Sequence, residues 1–506
     1  MASQRPNILF LMADQMAARF LPFHGHPVVK APNLERLADA GVVFDSAYCN
    51  SPLCAPSRYS MLAGALPSRI DAFDNAAEFA SDVPTFAHYL RRRGYRTALA
   101  GKMHFCGPDQ LHGFEERLTT DIYPADYGWT PDWTRPEHRP SWYHNMLSVL
   151  QAGPCARSNQ LDFDEEVAHA ARRHLFDMAR DDDLRPFCFV VSFTHPHDPY
   201  AILPSYWERY CEADIDLPTL SAEQAPPDPH SKRLRQVSDM DRAEITSEHV
   251  RRARRAYYGA ISYIDDQVGS LLTALRDAGL DDDTIIIFTA DHGDMLGERG
   301  LWYKMTWFET ASRIPLIIAG RGHFKPRRVA ESVSLVDLLP TLLALATVDH
   351  AADLAAPIDG RSLLPHLSGA GGHDEVIGEY LAEGAIAPLL MIRRGAVKYV
   401  CSSGDPDQLF DLTVDPEERV NLATAESHRS VASALREETA KRWNIDGLRQ
   451  RVLASQARRH FVNGALAEGV RTPWDYQPRR DATRLYVRNH LALDDLEARS
   501  RLSPPA

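Results

Sequence analysis

Cysteine is scarce in this chain and follows no pattern: Cys49, Cys54, Cys106, Cys155, Cys188, Cys211 and Cys401 are the seven in 506 residues. An odd, scattered set argues against a disulfide framework or a zinc cluster and fits a reducing, cytoplasmic setting. Long hydrophobic runs are lacking too. The apolar run at 8–13 is too short for a signal-peptide core or a transmembrane helix, and Asp337 and Pro340 interrupt the segment 334–348. No membrane partner is expected, and the substrate must arrive in solution. There is no basic excess: the formal net charge of -13 speaks against a nucleic-acid partner and is compatible with a cationic small molecule. No internal repeat is present. What remains is an ordinary globular composition, 44% hydrophobic and 25% charged, long enough for one large core and a smaller appended domain.

Apolar runs at 8–12, 96–100, 187–193, 284–289 and 316–319 read as buried strands. Helical patterns at 31–38, 84–93, 159–180, 247–278 and 336–346 alternate with them, the signature of a helix-flanked α/β sheet. Segments at 390–393, 397–400 and 408–411 read as a small antiparallel sheet, 213–248 as a surface excursion, and the stretch from about 460 as unable to bury a core. The domain reading is therefore a large catalytic unit at 1–372, a smaller α+β subdomain at 373–459 and a tail at 460–506.

Polar clusters fall where the strands end, the edge at which open α/β sheets bind ligands. Asp14 and Gln15 follow the first strand, Lys102 and His104 the second, His195 and His197 the third, and Asp291 and His292 the fourth. Two carboxylates and an imidazole gathered at one edge suit Ca²⁺ or Mg²⁺, with Mn²⁺ left open by the histidine. Lys102, His104, His197 and Lys304 would supply the fixed positive charge and proton transfer that a reaction on an anionic centre needs. Residues 119–149 are irregular but rich in aromatics, including Tyr123, Tyr127, Trp129, Trp133, Trp142 and Tyr143, and read as a binding wall.

Cys54 stands apart. It precedes Ala55-Pro56-Ser57-Arg58 in a loop that turns into a helix at Pro56 and stops at Gly64, so it sits at a helix start, where free N–H groups favour an anion. This C-x-P-S-R pattern resembles the signature of the type I sulfatases, in which the cysteine is oxidised after synthesis to formylglycine. The motifs around Asn7, Asp14, Gly101 to His104, Thr194 to Tyr200, Asp291 to Gly297 and Gly300 to Lys304 also follow the order found in that family. Within it, the stretches 71–78 and 108–126 and the tail around Arg488-Asn489-His490 look like the bacterial choline-sulfatases.

The resemblance implies an alkaline-phosphatase-like fold and hydrolysis of choline O-sulfate. Asp14, Cys54 as formylglycine, Asp291 and His292 would hold a divalent ion, usually taken as calcium. Arg58 and Lys102 would steady the hydrated aldehyde and the sulfate, His104 would be the base that restores the aldehyde, and His197 and Lys304 would serve the leaving oxygen. His197 is preferred to His195 because His197-Asp198-Pro199-Tyr200 matches the family form. Gln15 stands where many members have aspartate, and is a candidate neutral ligand. A quaternary ammonium offers no hydrogen bonds and must be met by aromatic faces and carboxylates. Trp129 supplies the face, and the resemblance adds Asn75, His144 and Glu383. It also implies a maturation enzyme as partner and a homo-oligomer, expected to be a tetramer, held through the tail bearing Asp494 and Asp495. The competing readings are a phosphonate monoester or phosphodiester hydrolase, a promiscuous arylsulfatase, and a choline-ester binding protein in which Cys54 stays a thiol.

Overall fold

The computed structural model describes residues 5–123, 126–139, 143–226, 228–346, 354–470, 474–479 and 492–502. Its centre is the strand Asn7–Ala13 (β1), whose residues 8 to 13 are fully buried. Such a run has no polar face because neighbours cover both of its sides. Around it lie Val42–Tyr48 (β2), Arg96–Gly101 (β3), Glu116–Arg117 (β4), Phe187–Ser192 (β5), Thr284–Ala290 (β6), Arg313–Ile314 (β7), Leu316–Gly320 (β8) and Arg327–Ser334 (β9). The sheet order is β9-β2-β8-β6-β1-β5-β3-β4, with β7 paired to β2. β1 is parallel to both β5 and β6, and β3 is parallel to β5, while β8 runs antiparallel to β6 and β2. The sheet is thus mixed, and the C-terminal ends of β1, β3, β5 and β6 all reach the same edge.

Two groups of helices pack on this sheet. Pro32–Ala40 (α1) and Asn159–Arg180 pack on the long helix Ser247–Asp277, and Cys54–Ala63 (α2) packs with Phe86–Arg92 and Leu338–Ala346. A second sheet is antiparallel and contains Glu375–Tyr380, Leu389–Arg394, Val397–Cys401 and Gln408–Asp411, one strand more than the three expected. The helices Arg429–Arg442 and Ile445–Ala467 follow, and the latter runs through position 460.

Several expectations need correcting. α2 begins at Cys54, two residues before Pro56, because Leu53 is the extended N-cap and its carbonyl already accepts from Ser57 N at 3.0 Å. The strands β2 and β9 were not anticipated. The segment 213–248 is more than a surface excursion. It contains the helix Pro229–Val237, started by an Asp228 cap and a proline at the first turn, and His230 is buried with Nε2 donating to the Met305 carbonyl at 2.7 Å. The expected helix at 336–346 opens as a 3₁₀ turn over Leu335–Asp337 under a Ser334–Asp337 capping box. Trp142 and Arg488-Asn489-His490 lie outside the described residues.

Candidate active site

Each parallel strand delivers its polar residue to the shared edge. Asp14 and Gln15 follow β1, Lys102 follows β3, Ser192 ends β5, and Asp291 and His292 follow β6. Gly101 is needed for this: its φ is +96°, and a Cβ there would lie 1.9 Å from the Ser192 carbonyl oxygen. Lys102 N donates to that same carbonyl at 2.9 Å, which turns the chain so that the lysine side chain enters the site.

Arg58, fully buried one turn into α2, ties these ends together. Its Nε donates to Asp291 Oδ2 at 2.8 Å, Nη1 to the Lys102 carbonyl at 2.6 Å and to Ser192 Oγ at 2.9 Å, and Nη2 to Asp14 Oδ2 at 3.2 Å. The Lys102 ammonium pairs with Asp14 as well. Burial would raise the Asp14 carboxyl, yet Lys102, His197 and Arg58 outweigh it and hold the group at about 2. Asp14 Oδ1 is buried and accepts no hydrogen bond among the described residues. Cys54 Sγ lies 3.2 Å from His292 Nε2 and 3.8 Å from Lys102 Nζ. Burial works against a thiolate here, but Lys102, Lys304, His292 and His104 hold the Cys54 thiol well below its ordinary value. His292 Nδ1 faces the Gly293 carbonyl at 3.0 Å, which places a proton there and points Nε2 into the site.

Asp14, Cys54, Asp291 and His292 each offer a ligand atom, all within 4.8 Å of one another. The donor set joins two hard carboxylates to a borderline imidazole and the sulfur, its carboxylates are held in place by Arg58, and Asp14 Oδ1 has no hydrogen-bond partner among the described residues. These residues fit a divalent ion. Gln15 is occupied elsewhere: its Oε1 accepts from Lys304 Nζ at 2.6 Å and its Nε2 donates to Asp294 Oδ2 at 2.8 Å. The amide therefore sits in the lysine's hydrogen-bond network.

Beside this floor opens a cavity of about 270 Å³ lined by Cys54, Asn75, Lys102, His104, Trp129, His144, His197 and Lys304 among others. Lys304 Nζ is 2.8 Å from His197 Nε2, and His197 Nδ1 is 2.7 Å from the Asp198 carbonyl. His144, His197 and Asp198 also place donor atoms within 4.8 Å, but the lysine ammonium against His197 marks a proton-handling network and disfavours a second cation. His144 stacks on Tyr303 with ring centres 4.2 Å apart, and burial together with Lys304 lowers its pKa to about 4, so it is neutral. His104 has a φ of +62°, its backbone N donates to Asp121 Oδ2 at 2.8 Å, and its ring stands edge-on to Trp129. Neither of its ring nitrogens makes a hydrogen bond of normal geometry among the described residues.

Asn75 has a second task, since its Oδ1 accepts from Ala55 N at 3.0 Å and caps the start of α2. Glu383 is buried but does not line the cavity. It lies beside Tyr143, which does, and burial pushes its carboxyl up to about 8. Trp133 belongs to the core, with Nε1 bonded to the Ala382 carbonyl at 2.9 Å, so the aromatic stretch is part wall and part anchor. Tyr123 of the aromatic stretch lies under the Lys102 ammonium at 4.5 Å, and the structure adds Asp198, Ser148 and Gln160 to the lining. Asp198 adjoins His197 in the same motif, which was the available signal.

Three family models match the chain: Sulfatase over residues 6–348, N-sulphoglucosamine sulphohydrolase, C-terminal over 297–444, and Choline sulfatase enzyme C terminal over 450–502. The chain is 47% identical over 512 residues to the choline-sulfatase of Rhizobium meliloti, covering 99% of each chain. It is 30% identical to arylsulfatase K of Gallus gallus, covering 83% of this chain and 79% of that protein. In fold it resembles the phosphonate monoester hydrolase of Agrobacterium radiobacter, with a TM-score of 0.69 and 24% identity over 89% of this chain and 96% of that one.

Proposed function

Because the chain belongs to the sulfatase family, we propose that it hydrolyses choline O-sulfate to choline and sulfate, with Cys54 oxidised to formylglycine. The carrying observation is one cavity that joins the cation-ringed Cys54 to the aromatic faces of Tyr123, Trp129 and Tyr143. A sulfate ester of a quaternary ammonium alcohol needs both halves. The printed name of the Rhizobium relative supports the same substrate.

Asp14, Asp291, His292 and an oxygen in place of Cys54 Sγ would hold a divalent cation, in our reading Ca²⁺. Bound there, the ion would polarise the ester's sulfate oxygens as a Lewis acid. Formylglycine, once hydrated, would supply the hydroxyl that attacks sulfur and a second hydroxyl whose deprotonation releases sulfate. The remaining work falls to side chains whose positions are given above. Lys102 and Arg58 keep Asp14 ionised, Arg58 orients Asp291, and Lys102 also faces the attacking position. His104, with ring nitrogens uncommitted elsewhere, takes the proton from the hydroxyl at position 54. Lys304 and His197, 2.8 Å apart, deliver a proton to the leaving oxygen. Trp129, Tyr143 and Asn75 bound the alcohol side, and Glu383 lends it negative charge once a bound cation has drawn off its proton.

The reading extends to a formylglycine-generating enzyme as a partner and to a homo-tetramer involving the tail at 460–506, with 1–372 and 373–459 as catalytic unit and subdomain. It also places the protein in the cytoplasm, supported by seven unpaired cysteines. Among the described residues no helix is long and apolar enough to cross a membrane. Matured protein assayed on choline O-sulfate, an aryl sulfate and a phenyl phosphonate tests the substrate. A strong preference for either of the latter overturns it. Peptide mass around Cys54 and elemental analysis test the aldehyde and the ion.

A further inference from the structure

We propose that Arg459, on the C-terminal helix Ile445–Ala467, is a positioning residue that sets the width of the cation side of the substrate cavity. The inference rests on the choline O-sulfate reading. Two loops bound that side: one carries Asn75, the other Trp129, and little regular structure holds either. Arg459 grips both. Its Nη1 and Nη2 donate to Asp74 Oδ1 and Oδ2 at 2.5 and 2.7 Å, and Nη1 also reaches Thr130 Oγ1 at 3.3 Å. Asp74 and Thr130 directly adjoin Asn75 and Trp129. Thr130 Oγ1 in turn donates to the Tyr127 carbonyl at 2.8 Å and closes the short turn Tyr127–Trp129.

The same helix face repeats the grip: Gln456 Oε1 accepts from Trp133 N at 2.9 Å, and His460 Nε2 donates to the Pro131 carbonyl at 3.1 Å. Asp74 is fully buried and Arg459 is 7% exposed. A bidentate pair shielded from water holds its geometry more tightly than an exposed one. Contact between an aromatic face and a quaternary ammonium depends on distance, so the spacing of Asn75 and Trp129 is a specificity setting. It is made by a residue more than three hundred positions away from either, inside the segment matched by the choline sulfatase C-terminal model. Among the described residues, none of the contacts that hold Asp14, Arg58, Lys102 or Asp291 passes through Arg459.

Arg459→Lys keeps the charge but loses the planar fork, and Thr130→Val removes the second grip together with the bond to the Tyr127 carbonyl that closes the turn. Each matured variant is assayed on choline O-sulfate and on 4-nitrophenyl sulfate, with thermal melting and inhibition by free choline as further readouts. For Arg459→Lys the expected result is a rise of about tenfold in KM for choline O-sulfate, the size of one lost charge-assisted hydrogen bond. Its kcat on 4-nitrophenyl sulfate should stay within about twofold, an allowance from the same scale. Thr130→Val should move KM in the same direction by less. Equal losses on both substrates, or an unmoved ratio in a folded variant, overturn the proposal. If Arg459→Lys fails to fold, an unmoved ratio in Thr130→Val overturns it alone. A wild-type enzyme with no preference for choline O-sulfate and no inhibition by choline overturns the choline reading and this proposal with it. Wild-type preference with unmoved variants overturns only the proposal.

Discussion

The floor of the cavity and its alcohol-side wall are built in opposite ways. The floor is made of strand ends and one helix start, and every charge on it is matched: Asp14 and Asp291 face Arg58 and Lys102 in a fully buried cluster. Its geometry comes with the sheet, because four parallel strands end together. The wall is made of loops and an isolated 3₁₀ turn, backed from behind by Arg459 of the helix Ile445–Ala467 and by Glu383 beside Tyr143. A floor of this kind can be shared by many sulfatases and their relatives, while the wall is free to vary with the alcohol. On the function proposed above, chemistry and specificity fall to structurally separate parts.

Changes to the floor should disable all substrates alike. Cys54→Ala removes the side chain proposed to become the aldehyde, and kcat should fall on the order of 10⁴-fold or more on choline O-sulfate and aryl sulfates equally. A residual preference for one substrate class would show that the two regions are not separate. Asp14→Asn is expected to be nearly as severe, with loss of bound metal by elemental analysis. Removing its charge strands Lys102 and weakens the pairing of Arg58. Stability in denaturant titration should drop by about 3 kcal/mol, the scale of a broken buried ion pair. Retained metal and unchanged stability would remove Asp14 from the floor.

The same contrast explains what was legible in the sequence. Asp14, Lys102, His197 and Asp291 each follow an apolar run, so strand prediction alone put them at one edge, and Cys54 and Arg58 were marked by a helix start. The wall offered no such periodicity. Trp129 could be picked out of an aromatic stretch, but nothing local distinguished it from Trp133, which the fold spends on the core through its bond to Ala382. Asn75, His144 and Glu383 came from family resemblance, and the Arg459–Asp74 pair was invisible because it joins positions with no pattern in common. The strands β2 and β9 were missed for a related reason. Val42–Tyr48 includes Asp45 and Ser46, and Arg327–Ser334 is an edge strand of mixed polarity, so neither reads as a continuous buried run.

Changes to the wall should be smaller and selective. Trp129→Ala is expected to raise KM for choline O-sulfate by roughly tenfold, within the range of a desolvated cation–π contact, while sparing a small aryl sulfate. Equal effects on both would return Trp129 to a structural role.

The subtlest test uses Glu383. Burial pushes its carboxyl up to about 8, so in the free protein it is increasingly protonated as pH falls below that value. A quaternary ammonium beside it favours the ionised form, and binding at lower pH must therefore expel the proton. KM for choline O-sulfate should rise several-fold from pH 8 to pH 6, less than the roughly tenfold per pH unit that full release of one proton on binding would give. KM for a neutral-tailed aryl sulfate should lack this component. Glu383→Gln should give a raised choline KM that no longer changes across the window, because the amide neither titrates nor carries the charge. If wild type and Glu383→Gln instead show the same pH dependence, the titrating group lies on the floor, and the wall recognises the cation through its aromatic faces alone.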